Sequence, residues 1–149
     1  MEITDPGPEV AADLTRTLAV FGTTSLLGGG LLAVASDRPG RVAFGQQSAM
    51  WGAINLAIAG VGAWRSRAQP AQASRLRRTL LVNAGLDVGY VAVGAHMVAH
   101  GTSLGGRLTP VQARGHGLAV VVQGVGLMVL DLSHARRLQR ADRAGAPAH

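Results

Sequence analysis

The stretch TLLVNAGLDVGYVAVGAHMVAH, residues 79–100, decides how this chain folds. It is almost wholly apolar or small and long enough, at about 1.5 Å of rise per residue, to carry a helix across about 30 Å of hydrocarbon. One carboxylate, Asp87, stands inside it. A charge near the centre of a membrane helix costs on the order of 3 kcal/mol on insertion scales, so a carboxylate there persists with a partner or a task. Asp87 is therefore the first candidate for function.

Three similar segments flank this one. Read by hydropathy, the spans are Leu14–Ser36, Gln46–Trp64, Thr79–Gly101 and Gln112–His134, with the strongly polar residues between them. The mean hydropathy of +0.24 is held down by Arg-bearing connections and two polar tails. Aromatics are 3% of the 149 residues, too few for the core of a typical soluble domain, while the 21 glycines suit helices that approach closely in lipid. The expected fold is an all-α bundle of four transmembrane helices. Residues 1–13 form a cytoplasmic N-terminal segment, 14–134 the membrane domain and 135–149 a basic cytoplasmic tail.

All 14 basic residues are arginine. Ten lie on one side of the expected membrane: Arg16, the five between the second and third spans and the four of the C-terminal tail. Arg38, Arg41, Arg107 and Arg114 lie on the other. The positive-inside rule then puts both termini in the cytoplasm and the chain in the inner membrane as a multi-pass protein. The net charge of +6 follows this topology and lacks interleaved stacking aromatics, so nucleic acid is not an expected partner. Membrane lipids are, through the basic rims. The N-terminus is acidic, with Pro6 and Pro8, and has no basic n-region of a cleaved signal. With no cysteine there is no disulfide, thiolate site or cysteine nucleophile. Residues 145–149 read as a disordered tail.

A duplication is visible in outline. Gln47-SAMW-Gly52 resembles Gln112-ARGH-Gly117, and Leu18–Ser25 can be laid on Leu80–Asp87. Two parallel hairpins would follow, with Ser25 opposite Asp87.

Helical spacing groups the polar residues. Asn83, Asp87, Tyr90 and Gly94 form one stripe of the third helix, and Gly85, Gly89, Ala92, His96 and His100 another. The fourth helix aligns His116, Gln123, Asp131 and His134; the second Ser48, Gly52, Asn55 and Ala59; the first Thr17, Phe21, Thr24 and Gly28. By depth, Asn55, Tyr90 and Gln123 share a midplane layer with Asp87 about one turn away. His96, His100, His116, Arg114, Gln46, Gln47 and Trp51 make a second polar zone at the outer end.

Asp87 is thus the candidate acid or base, with Asn55, Asn83, Tyr90 and Gln123 as orienting groups. The plain alternative is that these side chains only hydrogen-bond the helices together. Asp131 is accounted for by a salt bridge to Arg136 or a neighbour. Arg114 and His116, with His96, are expected at a polar or anionic headgroup. Axial haem ligation by His96 or His100 with His116 would suit a four-helix bundle, but the chain has few bulky walls for a macrocycle, and no cofactor is expected. No metal motif, GxSxG, HExxH or phosphate-cradling loop is present.

Arg38-Pro39, Phe44-Gly-Gln46 with Trp51-GAIN-Asn55, Val82-NAGLDVGY-Tyr90 and Arg114-GHGLAVVVQG-Gly124 together resemble a family of small uncharacterised four-helix membrane proteins of high-GC bacteria. The similarity spans about Phe21 to Arg140 and implies topology, with no activity attached. Two functions fit the residues. One is a polar site within the bundle that binds a hydrophobic small molecule, an isoprenoid, quinone or lipid, with proton transfer at Asp87 as its chemistry. The other is a non-catalytic assembly or accessory subunit, including a homo-oligomer, whose polar layer specifies packing.

Overall fold

Prolines and short caps set the helix boundaries. Pro39 and Pro110 are the first residues of their helices, where the missing N–H costs nothing. Thr109 and Gln112 close the start of the last helix reciprocally: Thr109 N–H and Oγ1–H donate to Gln112 Oε1 at 3.1 and 2.9 Å, and Gln112 N–H donates to Thr109 Oγ1 at 3.4 Å. Gly101, at φ 62°, ends the preceding helix in the left-handed conformation, with its N–H on the Met97 carbonyl at 2.9 Å.

The computed structural model describes residues 5–102 and 105–145. It contains α1 (Gly7–Ala35), α2 (Pro39–Ala68), α3 (Ala73–His100) and α4 (Pro110–Gly145), with no strand among the described residues. The all-α four-helix fold is as expected. Three of the helices, α1, α3 and α4, are long and apolar enough to cross a membrane. Helix α2, expected as a fourth span, is not among them; it carries Gln46, Gln47, Ser48 and Asn55 within its length and Arg65 and Arg67 at its end.

All four helices outrun the apolar segments that announced them, because backbone hydrogen bonding continues wherever side chains still pack. Helix α1 begins at Gly7, inside the expected N-terminal segment, where Asp5 Oδ1 accepts from Gly7 N–H at 2.8 Å and from Ala73 N–H at 3.3 Å, joining the starts of α1 and α3. Helix α4 continues to Gly145 through the expected tail, since Ala135 and Leu138 are buried with Val10, Ala73 and Leu80 in the apolar core at this end. Of the tail expected to be disordered, residues 146–149 lie outside the described residues.

The helices form two hairpins, α1 on α2 and α3 on α4, joined chiefly through α2 against α4. Within each hairpin the backbones touch at glycine. A Cβ on Gly29 would lie 2.6 Å from the Gly45 carbonyl oxygen, and one on Gly52 2.6 Å from that of Gly22. Gly94 and Gly117 stand in the same relation, each 2.7 Å from the other's carbonyl oxygen. Such small-residue contacts pack helices in lipid, where apolar burial supplies no drive. The inward face of α1 is therefore Gly22 and Gly29, and the expected face of Thr17, Thr24 and Gly28 is exposed. The duplication also changes register. Gly52 and Gly117 occupy matching places, but their partners are Gly22 and Gly94, whereas the sequence overlay put Gly22 on Ala84 and Ser25 on Asp87.

Leu27, Leu31, Val34, Val82, Leu86, Val88 and Val129 are among the apolar side chains left on the outside, as on helices apolar enough to cross a membrane. Replacing Gly94 or Gly117 with Val should cost about 1–3 kcal/mol by overpacking. Gly89, with open space around it, should tolerate Ala and gain up to about 1 kcal/mol in helix propensity. Denaturant unfolding in detergent micelles measures both, and equal effects at the two kinds of glycine would refute this packing.

Candidate functional site

The two hairpins meet through α2 and α4, and α2 and α3 make no close backbone approach to one another among the described residues. The space between them is a cavity of about 330 Å³ backed by α4. Trp51, Ile54, Asn55 and Ile58 of α2 form one wall, Asn83, Leu86, Asp87 and Tyr90 of α3 the other. Leu127 and Asp131 of α4 and Leu18 of α1 complete it. The Trp51 and Tyr90 rings meet edge to face, centroids 5.2 Å apart at 77°. The backbone at Asp87 is pinned from behind, since a Cβ on Gly124 would come within 3.3 Å of the Asp87 carbonyl oxygen.

The polar groups of this cavity are buried but incompletely used. Asn55 is 1% exposed, Asp87 5% and Asp131 7%. Asp87 Oδ2, Asn55 Nδ2 and Trp51 Nε1 have no hydrogen-bond partner among the described residues. Leaving a buried polar atom unpaired costs about 1–3 kcal/mol each, so three around one cavity is a feature that packing alone does not favour. The walls offer one acceptor and two donors to whatever enters.

The expected site residues divide into separate groups. Asn55, Asp87 and Tyr90 come together in the cavity, with Asn83 on its exposed margin. Gln123 does not join them; its Nε2 donates to Ser25 Oγ at 2.9 Å and ties α4 to α1. At the other end, His116 turns to α2, its Nδ1 lying 3.1 Å from Gln47 Oε1. His96 and His100 stack on the exposed side of α3, centroids 4.3 Å apart at 28°. Among the described residues no three His, Asp or Glu side chains converge as metal ligands would. Arg114 is exposed near the start of α4.

Two members of the cavity escaped the sequence reading. Among the described residues Asp131 pairs with no arginine; residues five apart on a helix diverge, so Arg136 does not meet it, and it faces the cavity with Asp87. Its place four residues after Leu127 and eight after Gln123 marked it as inward. Trp51, assigned to the outer zone with Gln47, leans instead onto Tyr90. The arginine that does pair is Arg137, which donates to Asp13 Oδ2, with His134 Nε2 3.3 Å from the same oxygen. This cluster joins α1 to α4 just ahead of the apolar run of α1.

Residues 17–132 match a family of unknown function, DUF6992. No curated protein and no solved structure matches the chain.

The Asp13 cluster makes stability depend on pH. The hydrogen bond from Arg137 holds the Asp13 carboxyl below its ordinary value, so folding favours its charged form. The stabilisation is present above the unfolded carboxylate range of about 4 and is lost as pH falls through the lowered folded value. Asp13→Asn should lower the unfolding midpoint at pH 7, and the gap to wild type should close as the pH is taken well below about 4. A gap that persists unchanged in acid would rule this out.

Proposed function

Since the chain belongs to DUF6992, a family of unknown function, we propose its role from the cavity itself: a membrane-associated protein that binds a hydrophobic small molecule between α2 and α3. The observation that carries this reading is the set of unpaired buried atoms, Asp87 Oδ2, Asn55 Nδ2 and Trp51 Nε1, around a cavity otherwise lined by Leu and Ile with Asn83, Tyr90 and Asp131. A ligand that satisfies them has an apolar body and a head that both donates and accepts. A hydroxyl fits, and so does a carbonyl interconverting with one; isoprenoid alcohols, quinones and lipids belong to this chemical class. The volume is at the small end of ligand pockets, which suits the head and first part of a longer apolar chain.

The chemistry that follows is proton exchange. Asp87 meets the head group and serves as acid or base, and Asp131 on the same cavity is a second carboxyl able to hold or return the proton. Asn55 and Trp51 orient the oxygen by donating to it. In this reading all four helices cross the inner membrane, with both termini on the cytoplasmic side because the arginines crowd that end.

An accessory role has separate support. Gln123 to Ser25 and His116 to Gln47 are polar contacts between helices, each fully explained by holding the bundle together. They concern packing, and the cavity atoms are not used in them.

Asp87→Asn separates the two readings. It keeps the shape and removes the carboxylate, so the protein should remain folded, with a thermal transition in detergent close to wild type. Organic extracts of the purified variant, compared by mass spectrometry with wild type, should lose a co-purifying apolar compound. Leu127→Trp, which fills the cavity, should lose the same compound. Unchanged extracts from both variants would leave the accessory role standing.

A further inference from the structure

A second concavity lies at the opposite end of the bundle and shares no lining residue with the first. It is a groove of about 570 Å³, lined in part by Leu32 of α1, Phe44 of α2, Val98 of α3 and Leu118 of α4, so that all four helices contribute. Its floor exists because Gly115 lets the start of α4 close onto Gly40 of α2, where a Cβ would run into the Gly40 backbone. Arg38, Arg41 and Arg114 line the same groove.

Among the described residues, none of these three arginines pairs with a carboxylate. Arg38 is the N-cap of α2 and makes no side-chain cap, so the positive end of a 30-residue helix adds to their field. Arg114 lies four residues after the first residue of α4, about 6 Å along it, a depth at which guanidinium groups stand at the level of headgroups while apolar walls continue inward.

We infer that this groove is a binding site for an anionic phospholipid, the phosphate held by Arg38, Arg41 and Arg114 and an acyl chain lying against Phe44, Val98 and Leu118. Guanidinium groups suit a phosphate because their N–H forks match its oxygens two at a time. The apolar walls select a lipid over free phosphate, which would leave Leu32, Phe44, Val98 and Leu118 uncovered. His116, expected beside Arg114 at a headgroup, is held by Gln47 and takes no part; Arg38 and Arg41 replace it.

The test is native mass spectrometry of the whole protein released from vesicles of equal phosphatidylglycerol and phosphatidylcholine. Wild type should retain one phosphatidylglycerol in preference to phosphatidylcholine. Each of Arg38→Gln, Arg41→Gln and Arg114→Gln should weaken that preference about fivefold. Leu118→Trp, which blocks the groove with all arginines present, should abolish retention, and this variant keeps the test decisive if an arginine variant does not fold. Arg75→Gln with Arg78→Gln, at the other end, should change nothing. Retention that survives Leu118→Trp, or that follows Arg75 and Arg78, overturns the assignment. Displacement of the lipid by millimolar inorganic phosphate also overturns it, in favour of a free-anion site.

Discussion

The rest of the structure depends on backbone contact between glycines within each hairpin. Gly22 and Gly29 against Gly52 and Gly45, and Gly94 against Gly117, bring the helix pairs closer than any side chain would permit. In lipid the drive for helix association is packing and not exclusion of water, so these contacts carry much of the specificity. They also dictate what happens elsewhere. Between the hairpins α2 meets α4, closely at Gly40 and Gly115, while α2 and α3 stay apart, and Phe21 of α1 packs against Gly126 of α4. The cavity is the remainder of that geometry.

Polar groups inside the bundle have two fates. Gln123, Ser25, His116 and Gln47 find one another across helix interfaces, and their hydrogen bonds offset the cost of burial. Asp87, Asn55 and Trp51 keep unpaired atoms where side chains line the space between α2 and α3 instead of meeting a neighbour. Ser48 Oγ and Gln123 Oε1, away from this cavity, also lack a partner among the described residues, but each stands apart, whereas Asp87, Asn55 and Trp51 bring such atoms to one cavity.

The two ends of the bundle differ in a similar way. At the end bearing both termini, Asp13 lies between Arg137 and His134, and Leu138 is fully buried nearby, so one charged cluster and an apolar core tie α1 to α4. At the far end, three arginines surround an apolar groove without acidic partners among the described residues.

Much of this was legible in the residues alone. Hydropathy and helical spacing determined an all-α chain of four helices, the inward face of Ser48, Gly52, Asn55 and Ala59 on α2, and Asp87 as the residue to explain, because burial repeats with the helix period and a carboxylate in an apolar run is conspicuous. The matching Gly52 and Gly117 were legible too. What spacing could not supply was the rotation and separation of whole helices. Only the tertiary structure decided that Gly22 and Gly29, and not Thr17, Thr24 and Gly28, face inward on α1. It also decided that Gln123 meets Ser25 and not Asp87, and that Asp131 and Trp51 belong to the cavity. The physical reason is that one helix specifies which of its own residues share a face, whereas which faces meet is settled by the closest backbone contacts of all four at once.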